Sequence, residues 1–169
     1  MDALPPSLII ITSSLTEVKG MEGAQLHRQL ALYKNSLFEQ GYLDGQFNQL
    51  EELQDESNPH FVDEVVTMYL KDSARLLSNM EQALEKNPPD FKKLDAVIHQ
   101  FRGSSSSIGA ARINNECVIF KQFCDEKNKD GCNKSFNQVK REHALLKRKM
   151  DRYLEIERQI TRRGNRASN

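Results

Sequence analysis

The stretch Phe91-Lys92-Lys93-Leu94-Asp95-Ala96-Val97-Ile98-His99-Gln100-Phe101-Arg102-Gly103-Ser104-Ser105-Ser106-Ser107-Ile108 decides the fold. Its apolar positions Phe91, Leu94, Val97, Ile98, Phe101 and Ile108, with Ser105 on the same line, recur at steps of three and four, the period of a helix that buries one stripe. His99 lies off that stripe. At roughly 100° per residue it sits about 140° from the stripe centre, and Ala96 and Gly103 share its outer face. Both neighbours are very small. A glycine inside a helix costs about 1 kcal/mol relative to alanine, so Gly103 implies that something must come close to the backbone beside the imidazole. Arg102, three residues on, brings a permanent positive charge to the same patch. An exposed imidazole, cleared on both sides and supplied with a cation, suits a nucleophile that accepts a phosphoryl group from a large partner.

The flanking sequence supplies further helices. Asn87-Pro88-Pro89 breaks the chain before this element, Asp90 can cap it, and Gly109 can end it. Upstream, Asn58-Pro59 reads as a cap and first-turn proline opening a long helix to about Lys86, with Phe61, Val65, Tyr69, Leu76, Leu77, Met80 and Leu84 able to face a core. Earlier still, Leu26, Leu30, Tyr33 and Leu37 give a helical period from Gln25 to Glu39 that Gly41 ends, and a short helix from Asp44 to about Gln54 directs Phe47, Leu50 and Leu53 inward. Downstream, Ile113, Cys117, Phe120 and Cys124 mark a helix from Ala111 to about Lys127. A turn near Asp130-Gly131 then leads to a long last helix carrying Val139, Leu146, Met150, Tyr153 and Ile160. The expected fold is all-α, an antiparallel four-helix bundle with additional short N-terminal helices. Residues 1–20, with Pro5-Pro6, a β-branched run and Thr12-Ser13-Ser14, predict a loosely ordered leader. The bundle domain is expected over 21–160 and a polar, basic tail over 161–169.

Composition narrows the function. A chain of 169 residues fits one domain, and 24 basic against 24 acidic residues give no global field to steer it to nucleic acid or an anionic membrane. Interspersed acids dilute the basic residues around Lys147-Arg148-Lys149 and Arg158 to Arg166, which read as a solvated helix and tail. No apolar run approaches the ~20 residues of a membrane span. The three cysteines, Cys117, Cys124 and Cys132, are odd in number and form no Cys-x-x-Cys pair, which points to a reducing compartment and ordinary packing, not metal. Gly103-Ser104-Ser105-Ser106-Ser107 lacks the second glycine of a nucleophile elbow and falls within a helix, which disfavours serine hydrolase chemistry. The serines read as packing residues able to bond back to helix carbonyls, Ser105 pointing inward and Ser106 lying on the His99 side. His27, His60 and His143 read as surface or helix-end histidines.

The block His99-Gln100-Phe101-Arg102-Gly103-Ser104-Ser105-Ser106-Ser107-Ile108-Gly109-Ala110 resembles the phosphoacceptor motif of plant-type histidine-containing phosphotransfer proteins of multistep two-component signalling. Gly41-Tyr42-Leu43-Asp44, Leu50-Glu51-Glu52-Leu53-Gln54-Asp55 and Asn58-Pro59-His60-Phe61-Val62 resemble the stretch before the core helices in that class, and Cys117 to Gly131-Cys132 resembles the stretch on the C-terminal side of the motif. His99 stands where active members carry histidine and a recognised inactive variety carries asparagine; Arg102 stands where many members have lysine. Met21 lies where members commonly begin, so an upstream start is expected for the leader.

The resemblance implies that His99 accepts a phosphoryl group from the receiver aspartate of a hybrid histidine kinase and passes it to a response-regulator aspartate, in cytokinin-type signalling between cytoplasm and nucleus. In this reading Arg102 compensates phosphoryl charge, and Lys92, Asp95, Ala96, Gln100, Gly103 and Ser106 form the docking face. The chain is expected to bind no cofactor or metal of its own, the magnesium ion belonging to the partner receiver, and to have no autonomous kinase or ATP-binding activity. Nucleic acid and membrane are not expected partners. The rival is a helical adaptor that binds signalling proteins without being phosphorylated.

Overall fold

The computed structural model describes residues 6–167, with side chains from 22 to 164. Among the described residues six helices run in order: α1 (Pro6–Glu39), α2 (Gly45–Glu52), α3 (Phe61–Glu85), α4 (Phe91–Ile108), α5 (Ala111–Asp125) and α6 (Lys129–Ala167). Among the described residues there is no strand, only two isolated bridges. Two compact units divide the chain: one spans 37–151, and the other joins the described residues of 1–36 to those of 152–169.

The 37–151 unit is the bundle. Residues paired across helices fix its directions, because numbers rise on one helix as they fall on the next. Cys124 Sγ reaches the Phe91 carbonyl and Lys121 reaches Asp95, so α5 runs antiparallel to α4. Arg112 meets Glu142 while Phe123 covers Gly131, so α6 runs back along α5. Ser73 meets His143 while Leu84 and Phe136 line one cleft, which closes α6 antiparallel against α3. The core between them contains Val66, Leu76, Met80, Leu94, Ile98, Phe101, Ile113, Cys117, Phe120, Val139, Leu146 and Met150, all essentially without solvent contact. Asp90 caps α4 as expected, its carboxylate accepting from Lys93 N at 3.0 Å.

A short antiparallel bridge ties α2 to this core beside the end of α4. Asp44 N donates to the Gly109 carbonyl at 2.9 Å and Ala111 N to the Tyr42 carbonyl at 3.1 Å. Gly109 has φ +81°, and a Cβ there would lie 2.7 Å from Phe47 N, so both conformation and space demand glycine at this crossing.

Several boundaries depart from the sequence reading. α1 begins at Pro6, so residues 6–20 are helix and not a loosely ordered leader, and α1 with its 34 residues is not short. Proline is pre-organised for a first helical turn, and each serine, threonine or β-branched residue costs well under ~1 kcal/mol in a helix. The remainder of the expected leader lies outside the described residues. α6 likewise continues through Ala167, making the expected tail helical as far as it is described. α3 starts at Phe61 because the Asp55 carboxylate accepts from Ser57 N, Ser57 Oγ and Asn58 N, folding the residues read as a cap into a separate turn. The buried stripe of α3 therefore runs through Val62, Val66, Tyr69, Leu70, Ser73 and Leu76, leaving Phe61, Val65 and Leu77 partly exposed. Leu53, expected inward, is 63% exposed because α2 has already ended at Glu52. The turn into α6 falls at 126–128, with Lys127 at φ 53°, while Gly131 sits inside α6 under the Phe123 ring.

Candidate functional site

α4 buries Leu94, Val97, Ile98, Phe101, Ser105 and Ile108, the stripe expected of it except for half-buried Phe91. Ser105 faces inward because it has a partner there: its Oγ lies 2.8 Å from the Tyr69 hydroxyl of α3 in a fully buried pair. Burial pushes the Tyr69 phenol well above its ordinary value, with the Ser105 bond opposing. That anchor fixes the rotation of α4 and with it the opposite face. Ser104 and Ser107 donate to the carbonyls of Phe101 and Gly103, the back-bonding expected of hydroxyls in a helix.

His99 is exposed on that opposite face, together with Lys92, Asp95, Ala96, Gln100, Gly103 and Ser106, while Arg102 is half-buried. The structure thus brings every sequence-derived candidate onto one side of one helix. Around Gly103 a Cβ would meet nothing within 4 Å, in contrast to Gly109. No interior contact requires the glycine at 103, although it costs a helix about 1 kcal/mol relative to alanine.

Burial pushes the Cys117 thiol of α5 up to about 12, with the Arg102 charge opposing. Asp95 pairs with Lys121 of α5, whose ammonium also holds Asp125, each at 2.5 Å. Lys121 is absent from the sequence-derived candidates, since no spacing rule within α4 can find a residue on another helix. Asp95, Lys92, Phe91 and Pro88 also line a groove with Cys124, Asp125 and Lys127.

The other histidines are not part of this face. His27 and His60 are exposed, as expected. His143 is not a surface residue: it is 7% exposed, with Nε2 at 2.8 Å from Ser73 Oγ. Ser73 Oγ also bonds the Tyr69 carbonyl at 2.6 Å, so the hydroxyl links the imidazole to the backbone of α3. Burial first, then Lys147, pushes the His143 imidazole below its ordinary range, against the Leu70 carbonyl. Among the described residues no group of three or more His, Cys, Asp or Glu side chains could hold a metal ion, and no helix is long and apolar enough to cross a membrane.

Comparison with known proteins agrees with this geometry. Residues 64–152 match the Hpt domain family. Pseudo histidine-containing phosphotransfer protein 2 of Oryza sativa subsp. japonica is 54% identical over 140 residues, covering 83% of this chain and 93% of that protein. Histidine-containing phosphotransfer protein 4 of Arabidopsis thaliana is 52% identical over 116 residues, 69% of this chain and 91% of that protein. A crystal structure of a histidine-containing phosphotransfer protein from Medicago truncatula superposes with a TM-score of 0.78 at 45% identity, covering 82% of this chain and 95% of that one. With its core helices matched and a bundle of the same fold, the chain belongs to the histidine-containing phosphotransfer family.

Proposed function

We propose that this protein is a phosphocarrier whose acceptor is His99. The observation that carries the reading is the exposed imidazole on a rigid helix beside Gly103, a glycine the interior does not need. A phosphoaspartate on the receiver of a hybrid histidine kinase is the donor. A lone pair of the neutral imidazole attacks phosphorus, the bond from phosphorus to the aspartate oxygen breaks, and the carboxylate leaves with the electron pair. The ring proton is held on the other nitrogen or released to solvent. The reverse sequence delivers the group to a response-regulator aspartate.

Arg102 offsets charge on the phosphoryl oxygens, while Gly103 and Ala96 let the receiver pocket close over the ring, with Lys92, Asp95, Gln100 and Ser106 around it. Magnesium enters with the receiver: Asp95 is the only acid of α4, and it is engaged by Lys121. The chain adds no kinase or ATP-binding step of its own. Service in a cytokinin-type relay that links cytoplasm and nucleus is the finer part of this reading and rests on the family resemblance.

Relatives named as pseudo phosphotransfer proteins match as well as those without that prefix, which favours keeping a second reading, an adaptor that docks without being phosphorylated. Transfer of radiolabelled phosphate from phosphorylated receivers to the parent and to His99→Gln separates the two. Acid-labile label on the parent alone supports the carrier. No label on folded parent from several receivers moves the conclusion to the adaptor.

A further inference from the structure

Asp95 is the single acidic residue of α4 and lies one turn before His99, where side chains four apart are neighbours on the helix surface. A free carboxylate there would face an incoming phosphoryl group with like charge. The structure does not leave it free. Lys121 of α5 reaches across to Asp95 Oδ1 and also donates to Asp125 Oδ1, four residues along its own helix. Both carboxylates push the Lys121 ammonium above its ordinary range, the Asp125 bond first and the Asp95 bond next, so it stays charged throughout the physiological range.

We propose that Lys121 is a positioning residue for chemistry at His99: it draws the Asp95 carboxylate sideways toward α5 and, shared with Asp125, offsets part of its charge, so that an anionic phosphoryl donor meets Arg102 against a weakened like charge. The inference rests on the reading of His99 as phosphoacceptor. Stability is not the main effect of the pair, because Lys121, Asp95 and Asp125 keep 33%, 51% and 58% side-chain exposure, and ion pairs so exposed contribute little to folding. Their effect is on the local field. A carboxylate roughly one helical turn from a phosphoryl dianion, in water-like surroundings, slows its approach by about three- to tenfold, less at high salt.

The test uses phosphoramidate, a small anionic donor that needs no docking surface, alongside a phosphorylated receiver. In the phosphoramidate reaction the imidazole nitrogen attacks phosphorus and the phosphorus–nitrogen bond breaks with ammonia leaving. Lys121→Met keeps the aliphatic stem and removes the charge. Expected are labelling of His99 about three- to tenfold slower at low salt, a smaller deficit at high salt, and a thermal midpoint within about 2 °C of the parent. Lys121→Arg restores the rate. Adding Asp95→Asn to Lys121→Met removes the stranded carboxylate and recovers it as well, which a purely structural role for Lys121 would not do. Labelling of Lys121→Met at the parent rate, or a double variant as slow as Lys121→Met, overturns the inference. If phosphoramidate gives the expected order while no receiver labels the parent, the positioning role stands and the relay reading falls.

Discussion

Replacing Gly103 should make the protein more stable and less able to dock. An added Cβ at 103 meets no atom within 4 Å, and the residue is in the middle of α4 with ordinary helical backbone. Gly103→Ala therefore recovers the propensity difference between the two residues, about 0.5–1 kcal/mol, which for a chain of this size raises the thermal midpoint by about 1–4 °C. Gly103→Gln should fold too, since glutamine is also a better helix former than glycine. Its side chain, however, stands where the proposed receiver closes over His99, and overpacking of that kind removes roughly 1–3 kcal/mol of docking energy, about a 5- to 150-fold weaker Kd. Gly109→Ala is the control in the opposite direction: φ +81° and a Cβ at 2.7 Å from Phe47 N predict a loss of about 2–4 kcal/mol. Circular dichroism melts of the three variants and calorimetric titration with a receiver domain measure both quantities. A Gly103→Ala protein that melts below the parent, or a Gly103→Gln protein that binds receiver with parental affinity, would refute the assignment of this glycine to the partner.

Further predictions concern the groups that hold α4 and the bundle in place. Ser105→Ala strands the buried Tyr69 hydroxyl and should cost about 1–3 kcal/mol in urea unfolding, whereas Ser105→Ala with Tyr69→Phe should cost less than the single change; equal or greater loss in the pair would contradict the hydrogen-bond account. Because burial holds the His143 imidazole below its ordinary 6.5, the unfolded chain takes up the proton first as pH falls. Stability should be full above about pH 6.5 and decline below it, and His143→Gln, which keeps an uncharged hydrogen-bonding group beside Ser73, should flatten that slope. An unchanged slope in the variant would assign the pH dependence elsewhere. Arg102→Ala should slow transfer to His99 by roughly ten- to a hundredfold while shifting stability by less than about 0.5 kcal/mol, read by single-turnover labelling and urea melts; a loss confined to stability would remove Arg102 from the site.

Helical geometry sets how far the sequence is legible. Within α4 one angle per residue fixes both faces, so spacing alone puts Ser105 inward and His99 outward. Contacts between helices have no such rule. His143 reads as a surface residue because its partner Ser73 is 70 positions away, and only the register of α6 against α3 brings them together. Lys121 is hidden for the same reason, its link to Asp95 spanning 26 positions. Element ends fail differently. Leu53 continues the periodicity of α2 in sequence, but the helix stops one residue earlier, and Asp55 claims the backbone donors of the next turn.

Gly103 and Gly109 lie six residues apart in the chain and answer to different surroundings. At 109 the requirement is written into the fold, by a left-handed backbone and by Phe47 N and Asp44 Oδ1, which an added β-carbon would meet at 2.7 and 2.8 Å. At 103 the fold asks for nothing, and alanine would make a better helix. A residue that lowers helix stability, fills no interior need and borders an exposed imidazole is what the proposed docking of a receiver over His99 calls for. The Ser105–Tyr69 anchor gives that argument its force, because a buried hydrogen bond that fixes the rotation of α4 leaves the outer face no freedom to turn away. Weakening the anchor should therefore erode docking at His99 even though neither Ser105 nor Tyr69 is exposed.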